Sequence, residues 1–215
     1  MYKAVIWDLD GTLLNTLGDL AAATNYALEK YGYPPISNAD VRQRIGNGLG
    51  RLIALSVPAG ADNPHYDDLI ALFKEYYPAH CTELTEPYEG IVEIVEKLHD
   101  QGVLNAIVSN KIDSAVQLIS RHYFHDLMDV NIGERAGVRR KPDPESLLNA
   151  LKELNVDAKD AIYIGDSDVD IITAKNASMD HIAVSYGYRD REVLEGLDPM
   201  YLVDNTAQLK EILCR

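Results

Sequence analysis

Hydrophobic and polar positions along the chain fall into two rhythms. Short apolar runs at Ala4-Val5-Ile6-Trp7, Val103 to Val108, Ala161 to Ile164, His181 to Val184 and Tyr201 to Val203 have the length and β-branched content of buried strands. Met128 to Ile132 reads as a further short strand. Between these runs, apolar residues recur at helical spacing, which predicts right-handed crossovers and a parallel sheet. The expected fold is α/β, a Rossmann-like parallel sheet core with helices on both faces. Two helices have legible limits: one runs from Gly90-Ile91 to Asp100 and stops at Gly102, and Asp143-Pro144-Glu145 supplies a cap, a first-turn proline and an acid.

Residues from about Thr16 to Thr85 break the alternation. Leu17, Leu20, Ala21, Ala27, Leu28 and Tyr31 share one helical face, Leu69, Ile70, Leu72, Phe73, Tyr76 and Tyr77 another, and Ser37-Asn38-Ala39-Asp40 resembles a capping box. The expected division is an α/β core of 1–15 and 86–215 with a small all-helical cap domain, 16–85, over the carboxyl edge of the sheet. Linkers near Leu14–Thr16 and Thr82–Pro87 would join them.

Composition narrows the function classes. The 215-residue chain is 47% hydrophobic and carries a net charge of -14, which disfavours nucleic-acid and anionic membrane surfaces because both need clustered Lys and Arg. No segment approaches the ~18–20 apolar residues of a membrane span. Cys81 and Cys214 lack metal-ligand spacing and need not pair, so a reduced cytoplasmic protein is expected, monomer or homodimer. An anionic substrate would then need local cations to overturn the global field.

Four segments carry chemistry. The first strand delivers Asp8 and Asp10 into a Gly11-Thr12 turn, with the two acids at i and i+2 on one side of an extended segment. Ser109-Asn110-Lys111 ends a strand with a hydroxyl and an amide before a new helix, a combination suited to a phosphate cradle. In Lys141-Pro142 the proline keeps the lysine out of αR geometry, where one ammonium can neutralise a carboxylate and a phosphoryl oxygen. Gly165-Asp166-Ser167-Asp168-Val169-Asp170 delivers hard oxygen ligands suited to magnesium. Each has an ordinary reading as a turn, a cap or a surface side chain, but their order at successive strand ends points to phosphoryl chemistry.

With these segments, and with Pro87-Tyr88-Glu89-Gly90 and Ser185-Tyr186-Gly187-Tyr188, the chain resembles the haloacid dehalogenase superfamily along essentially its whole length, in the phosphoglycolate-phosphatase-like branch. Asn15 stands where many relatives carry an aspartate, a change that bears on linker or cap contacts. The resemblance implies a magnesium-dependent phosphatase acting on a small phosphorylated metabolite through an aspartyl phosphate. Asp8 would be the nucleophile and Asp10 the general acid and then base, oriented by Thr12. Mg²⁺ would bind the Asp8 carboxylate, the Asp10 main-chain carbonyl and Asp166, with Asp170 behind them. Ser109, the Asn110 N–H and Lys141 would hold the phosphoryl oxygens.

Substrate choice is expected in the cap, where the glycine-rich bend Arg44 to Arg51 offers Arg44 and Asn47 as candidates for a substrate carboxylate. The scattered histidines lack ligand spacing. A sugar phosphomutase remains the alternative on the same core, with a phospho-accepting signalling module that does not turn over behind it. A dehalogenase would need neither Asp10 nor Asp166.

Overall fold

The computed structural model describes residues 2–214. Eight strands and ten α-helices follow one another as β1 (Ala4–Trp7), β2 (Leu14–Asn15), α1 (Leu17–Lys30), α2 (Asn38–Arg44), α3 (Gly48–Ala54), α4 (Tyr66–His80), β3 (Glu86–Pro87), α5 (Ile91–Asp100), β4 (Leu104–Ile112), α6 (Asp113–Phe124), β5 (Val130–Glu134), α7 (Glu145–Leu154), β6 (Ala161–Gly165), α8 (Asp168–Asn176), β7 (Asp180–Val184), α9 (Arg191–Glu195), β8 (Tyr201–Val203) and α10 (Thr206–Leu213).

Six strands form one parallel sheet in the order β5-β4-β1-β6-β7-β8. Chain progression moves outward from β1 in both directions, through β4 to β5 and through β6 to β8. The crevice of such a sheet lies at the carboxyl ends of β1, β4 and β6, where the winding reverses. Alternation along β1 explains the two layers. Val5 and Trp7 pack with Ile94 and Leu98 of α5 and Val116 of α6, whereas Ala4 and Ile6 pack with Leu147 and Leu151 of α7 and Ala174 of α8. Full burial of each such branched side chain contributes about 1.5–3 kcal/mol, so both faces of the strand hold the fold.

Between β2 and β3 the chain is helical. The linkers expected at its two ends pair as an antiparallel ribbon, Leu14 opposite Pro87 and Asn15 opposite Glu86. Asp19 of α1 reinforces the crossing: its carboxylate accepts the Leu84 N–H at 2.9 Å, the Thr85 N–H at 3.0 Å and the Thr85 hydroxyl at 2.7 Å. Ser37 and Asp40 form the reciprocal capping box that the sequence predicts for α2.

Two local expectations change. The glycine-rich segment is only partly a bend, since Gly48 and Gly50 lie inside α3. β4 runs beyond the apolar run Val103–Val108, and one residue past Lys111, to Ile112, with an irregularity in its pairing with β5 between Val108 and Ile112. Ser109 to Lys111 therefore lie on an extended strand, and α6 starts at Asp113. A bulge lets a strand keep pairing while it re-aims side chains, which here turns those of Ser109 and Lys111 toward the crevice.

Among the described residues no helix is long and apolar enough to cross a membrane. Cys81 and Cys214 are both free thiols.

Candidate active site

The crevice is built from strand ends outward. Trp7 closes β1 and Asp8 follows at once, its N–H donating to the Ile164 carbonyl at 2.8 Å, so the parallel pairing extends one residue into the site. The chain then turns at Gly11, whose φ of +86° suits glycine and where a Cβ would overlap the Asp166 carboxylate. Asp166 follows β6 in the same way. Asp8, Asp166 and Asp170 each place a carboxylate oxygen within 4.8 Å of the other two, and all three residues are buried.

One lysine holds the centre of this cluster. Lys141 Nζ donates to Asp8 Oδ1 at 2.8 Å, Asp170 Oδ1 at 2.7 Å and the Tyr163 hydroxyl at 2.8 Å, spending all three of its donors. Burial alone would lower the Lys141 ammonium's pKa, but Asp170 and Asp8 outweigh that effect and hold it above the ordinary lysine value. Asn110 fixes the backbone of Lys141 from both sides: its carboxamide oxygen accepts the Lys141 N–H at 2.9 Å, and its amide nitrogen donates to the Lys141 carbonyl at 3.0 Å. The same nitrogen donates to the Gly46 carbonyl at 3.0 Å.

Asp170 is fully engaged. Besides Lys141 and Tyr163 on Oδ1, its Oδ2 accepts the Ser167 N–H at 3.1 Å and the Ser167 hydroxyl at 2.5 Å in the capping box of α8. Its place is to orient Lys141. Asp166 Oδ2 accepts one N–H, from Tyr188 at 2.6 Å. Burial pushes the Asp8 carboxyl up to about 7, against the opposing pull of Lys141 and with Asp170 adding to the rise. Burial, then Asp170 and Asp8, raises Asp166 well above the usual carboxylate range. Three buried acids against one ammonium leave negative charge uncompensated, and a divalent cation with hard oxygen ligands matches that deficit.

Asp10 stands apart from this cluster. Its Oδ1 accepts Lys111 Nζ at 2.7 Å and the Thr16 hydroxyl at 2.7 Å. The hydroxyl expected to orient it was that of Thr12, but Thr12 Oγ1 is buried without a hydrogen-bond partner among the described residues. Thr16 does this instead, and the Tyr188 hydroxyl joins it by accepting the Thr16 N–H at 2.8 Å. The Lys111 side chain is 3% exposed and its ammonium lies 4.8 Å from the centroid of the Tyr77 ring.

Asp8, Asp10, Ser109, Asn110, Lys111, Lys141 and Asp166 line a cavity of about 50 Å³, closed on the helical side by Leu20 of α1, Leu49 and Leu52 of α3, and Phe73 and Tyr77 of α4. Arg44 and Asn47 do not line it. The Arg44 guanidinium donates to Asp40 Oδ1 at 2.9 Å and to the Ser56 hydroxyl at 3.3 Å, and Asn47 faces a groove outside with Arg42 and Arg51. The loop after β7 clamps the insertion to the sheet instead. Arg189 donates to the Ile45 carbonyl at 2.8 Å and the Arg42 carbonyl at 3.2 Å, capping the end of α2, while Arg42 donates to the Tyr188 carbonyl at 2.7 Å.

Thr16, Lys111, Tyr163 and Arg189 were not among the residues singled out as candidates. Lys111 sits within the Ser109-Asn110-Lys111 segment, and Tyr163, a phenol in an otherwise aliphatic strand, is a usable signal. Nothing local marked Thr16 or Arg189.

Comparison with known proteins bears on what this arrangement does. Residues 5–184 match the haloacid dehalogenase-like hydrolase family model. A phosphoglycolate phosphatase of Vibrio parahaemolyticus is 33% identical, covering 98% of this chain and 96% of its own. An N-acetylmuramic acid 6-phosphate phosphatase of Pseudomonas aeruginosa is 32% identical, covering 99% and 95%. A crystal structure from Lactobacillus delbrueckii subsp. bulgaricus, provisionally assigned as a phosphoglycolate phosphatase, superposes with a TM-score of 0.91 at 34% identity, covering 99% of this chain and 98% of that one.

Proposed function

The chain belongs to the haloacid dehalogenase-like hydrolase family and is a phosphatase, and we propose that it hydrolyses a small phosphomonoester through an aspartyl-phosphate intermediate with magnesium bound. The observation that carries this reading is the pairing of two differently held carboxylates at one strand end: Asp8 on Lys141 among buried acids, and Asp10 on Lys111 and Thr16.

The division of labour is the one the family resemblance implies for two acids held in such different surroundings. One Asp8 oxygen is held by Lys141, and the other attacks phosphorus, so that the bond to the leaving-group oxygen breaks and the phosphoryl group rests on Asp8. Asp10 gives its proton to the leaving alkoxide, then takes one from the water that hydrolyses the aspartyl phosphate. Lys141, held from both sides by Asn110 and oriented by Asp170, gives up one of its three contacts to meet a phosphoryl oxygen together with the Ser109 hydroxyl. Asp8, Asp166 and the main-chain carbonyl of Asp10 are the groups that would hold magnesium, which supplies charge neutralisation for the phosphoryl oxygens when bound. The helices α1–α4 act as a cap, excluding water with Leu20, Leu49, Leu52 and Phe73.

Two relatives at similar identity act on different acids, phosphoglycolate and N-acetylmuramic acid 6-phosphate. The apolar cap wall of Leu20, Leu49, Leu52 and Phe73 beside the Asp8–Asp10 strand end favours the smaller. Phosphate release from 2-phosphoglycolate, N-acetylmuramic acid 6-phosphate and longer phosphomonoesters, with and without magnesium, tests the reading. Preferred turnover of the two- and three-carbon esters is expected; magnesium-independent turnover, or none on any ester, would overturn it.

A further inference from the structure

We infer that Lys111 is the specificity-determining residue of this site, its ammonium being the receptor for a carboxylate on the leaving group. The inference rests on the phosphatase reading and adds to it the group that reads the substrate.

Three observations carry it. First, the two lysines of the cavity are spent differently. Lys141 uses every donor on Asp8, Asp170 and Tyr163, whereas Lys111, as deeply buried at 3% side-chain exposure, has among the described residues a single hydrogen-bond acceptor, Asp10 Oδ1. An ammonium carries three donors, and a side chain this buried has the cavity it lines as the place to spend the other two.

Second, the position is right for the leaving group. Asp10 is the group that exchanges a proton with the leaving oxygen, so an ammonium 2.7 Å from Asp10 lies beside the place where that part of the substrate departs. A two-carbon leaving group that puts its oxygen against Asp10 places its next polar group within reach of Lys111.

Third, the competing cations are committed elsewhere. Arg189 lines the cavity, but its guanidinium donates to Asp168 at 3.1 Å and to the carbonyls of Arg42 and Ile45. Arg44 is on Asp40 and Ser56. The helical side of the cavity is apolar, with Leu20, Leu49, Leu52, Phe73 and Tyr77, and against such a wall a charge-assisted hydrogen bond is strengthened. The Tyr77 ring steadies the ammonium from one side and leaves the cavity side open.

Lys111 also positions Asp10, so activity alone does not separate the two roles. The discriminating experiment measures binding without chemistry. Wild type, Lys111→Met and Lys111→Arg are titrated calorimetrically, with magnesium, against 3-phosphonopropionate, which replaces the bridging oxygen of phosphoglycolate by a methylene, and against its neutral amide. Wild type and Lys111→Arg are expected to bind the carboxylate at least about 10-fold more tightly than the amide, and Lys111→Met to bind both within about 3-fold. In parallel, the ratio of kcat/KM for 2-phosphoglycolate over 2-phosphoglycolamide should collapse in Lys111→Met whatever uniform loss accompanies it. A preference that survives in Lys111→Met, or a wild type that binds acid and amide equally, overturns the inference and leaves Lys111 as a support for Asp10. A wild type with magnesium-dependent phosphatase activity but no such preference keeps the phosphatase reading intact, and absence of turnover on both of these esters, with turnover on others, overturns this inference alone.

Discussion

The Thr16 hydroxyl donates to Asp10 Oδ1 at 2.7 Å while the Thr16 N–H donates to the Tyr188 hydroxyl at 2.8 Å, so one residue at the root of α1 ties the carboxylate after β1 to the loop after β7. A hydrogen bond to a charged group contributes about 1.5–3 kcal/mol. Thr16→Val keeps the shape and the main-chain bond but removes the donor. Its kcat is expected to fall about 10- to 100-fold across all substrates, with the magnesium dependence unchanged. Steady-state kinetics over a magnesium series checks this, and unaltered kcat would remove Thr16 from the support of Asp10.

Asp8→Asn and Asp10→Asn should separate nucleophile from acid-base group. The first is expected to abolish multiple turnover. The second should lose roughly 10²- to 10⁴-fold, as for a positioned proton-transfer group, and slow the hydrolysis of the aspartyl phosphate as well as its formation. Rapid-quench capture of phosphorylated protein distinguishes the two variants; multiple turnover by homogeneous Asp8→Asn would reject the mechanism.

Magnesium should stabilise the fold measurably, because it relieves buried negative charge at Asp8 and Asp166. A ligand at 100 times its Kd contributes about 2.7 kcal/mol, which for a chain of this size raises Tm by about 5–10 °C. Thermal melts of chelator-treated protein, with and without added magnesium, give the shift. In Asp166→Asn the shift should largely vanish.

Lys141→Met strands Asp8, Asp170 and the Tyr163 hydroxyl together in the interior. Breaking a buried pair from one side costs about 3–5 kcal/mol, so the metal-free variant should melt far below wild type as well as lose turnover on every ester. A variant as stable as wild type would mean that the acids are less confined than their burial implies.

Arg44→Ala is expected to change kcat/KM less than about 2-fold on any ester, and stability by no more than ~1 kcal/mol, as for a partly exposed ion pair. The Asp40 contact at 2.9 Å, within one helix, is the reason. Selective loss on one substrate would return Arg44 to the specificity argument.

How much was legible depended on distance along the chain. The strand at Ala4–Trp7 and the helix at Ile91–Asp100 have the limits their local pattern predicts, because apolar periodicity and flanking glycines act within a few residues. α7 is one residue out: Asp143 accepts the Glu145 N–H at 3.0 Å, as a cap would, but the helix begins after Pro144 rather than at it. Ser109 to Lys111 close a strand before a helix, as expected, but the helix begins only at Asp113 because β4 goes on pairing with β5 as far as Ile112, a tertiary effect. The partners of Asp10 show the limit best. Thr12 and Thr16 are both threonines close in sequence, and only the turn at Gly11 and the entry of α1 decide which hydroxyl reaches the carboxylate. Lys111 meets Asp10 across 101 positions, a relation no local pattern encodes.

The ribbon at Leu14–Asn15 and Glu86–Pro87 has a consequence for ancestry as well as for folding. Closing a loop as long as the one between these strands costs roughly 4 kcal/mol in chain entropy, and the ribbon and the Asp19 bonds at the root of α1 offset it beside the sheet, whatever the helices farther out do. The intervening helices behave as a cassette clipped into a socket. Apart from the root at Thr16 and Asp19, their sequence can drift, lengthen or be exchanged while the socket keeps Asp8 and Asp10 in register, so new leaving-group preferences can arise without the phosphoryl machinery having to be rebuilt.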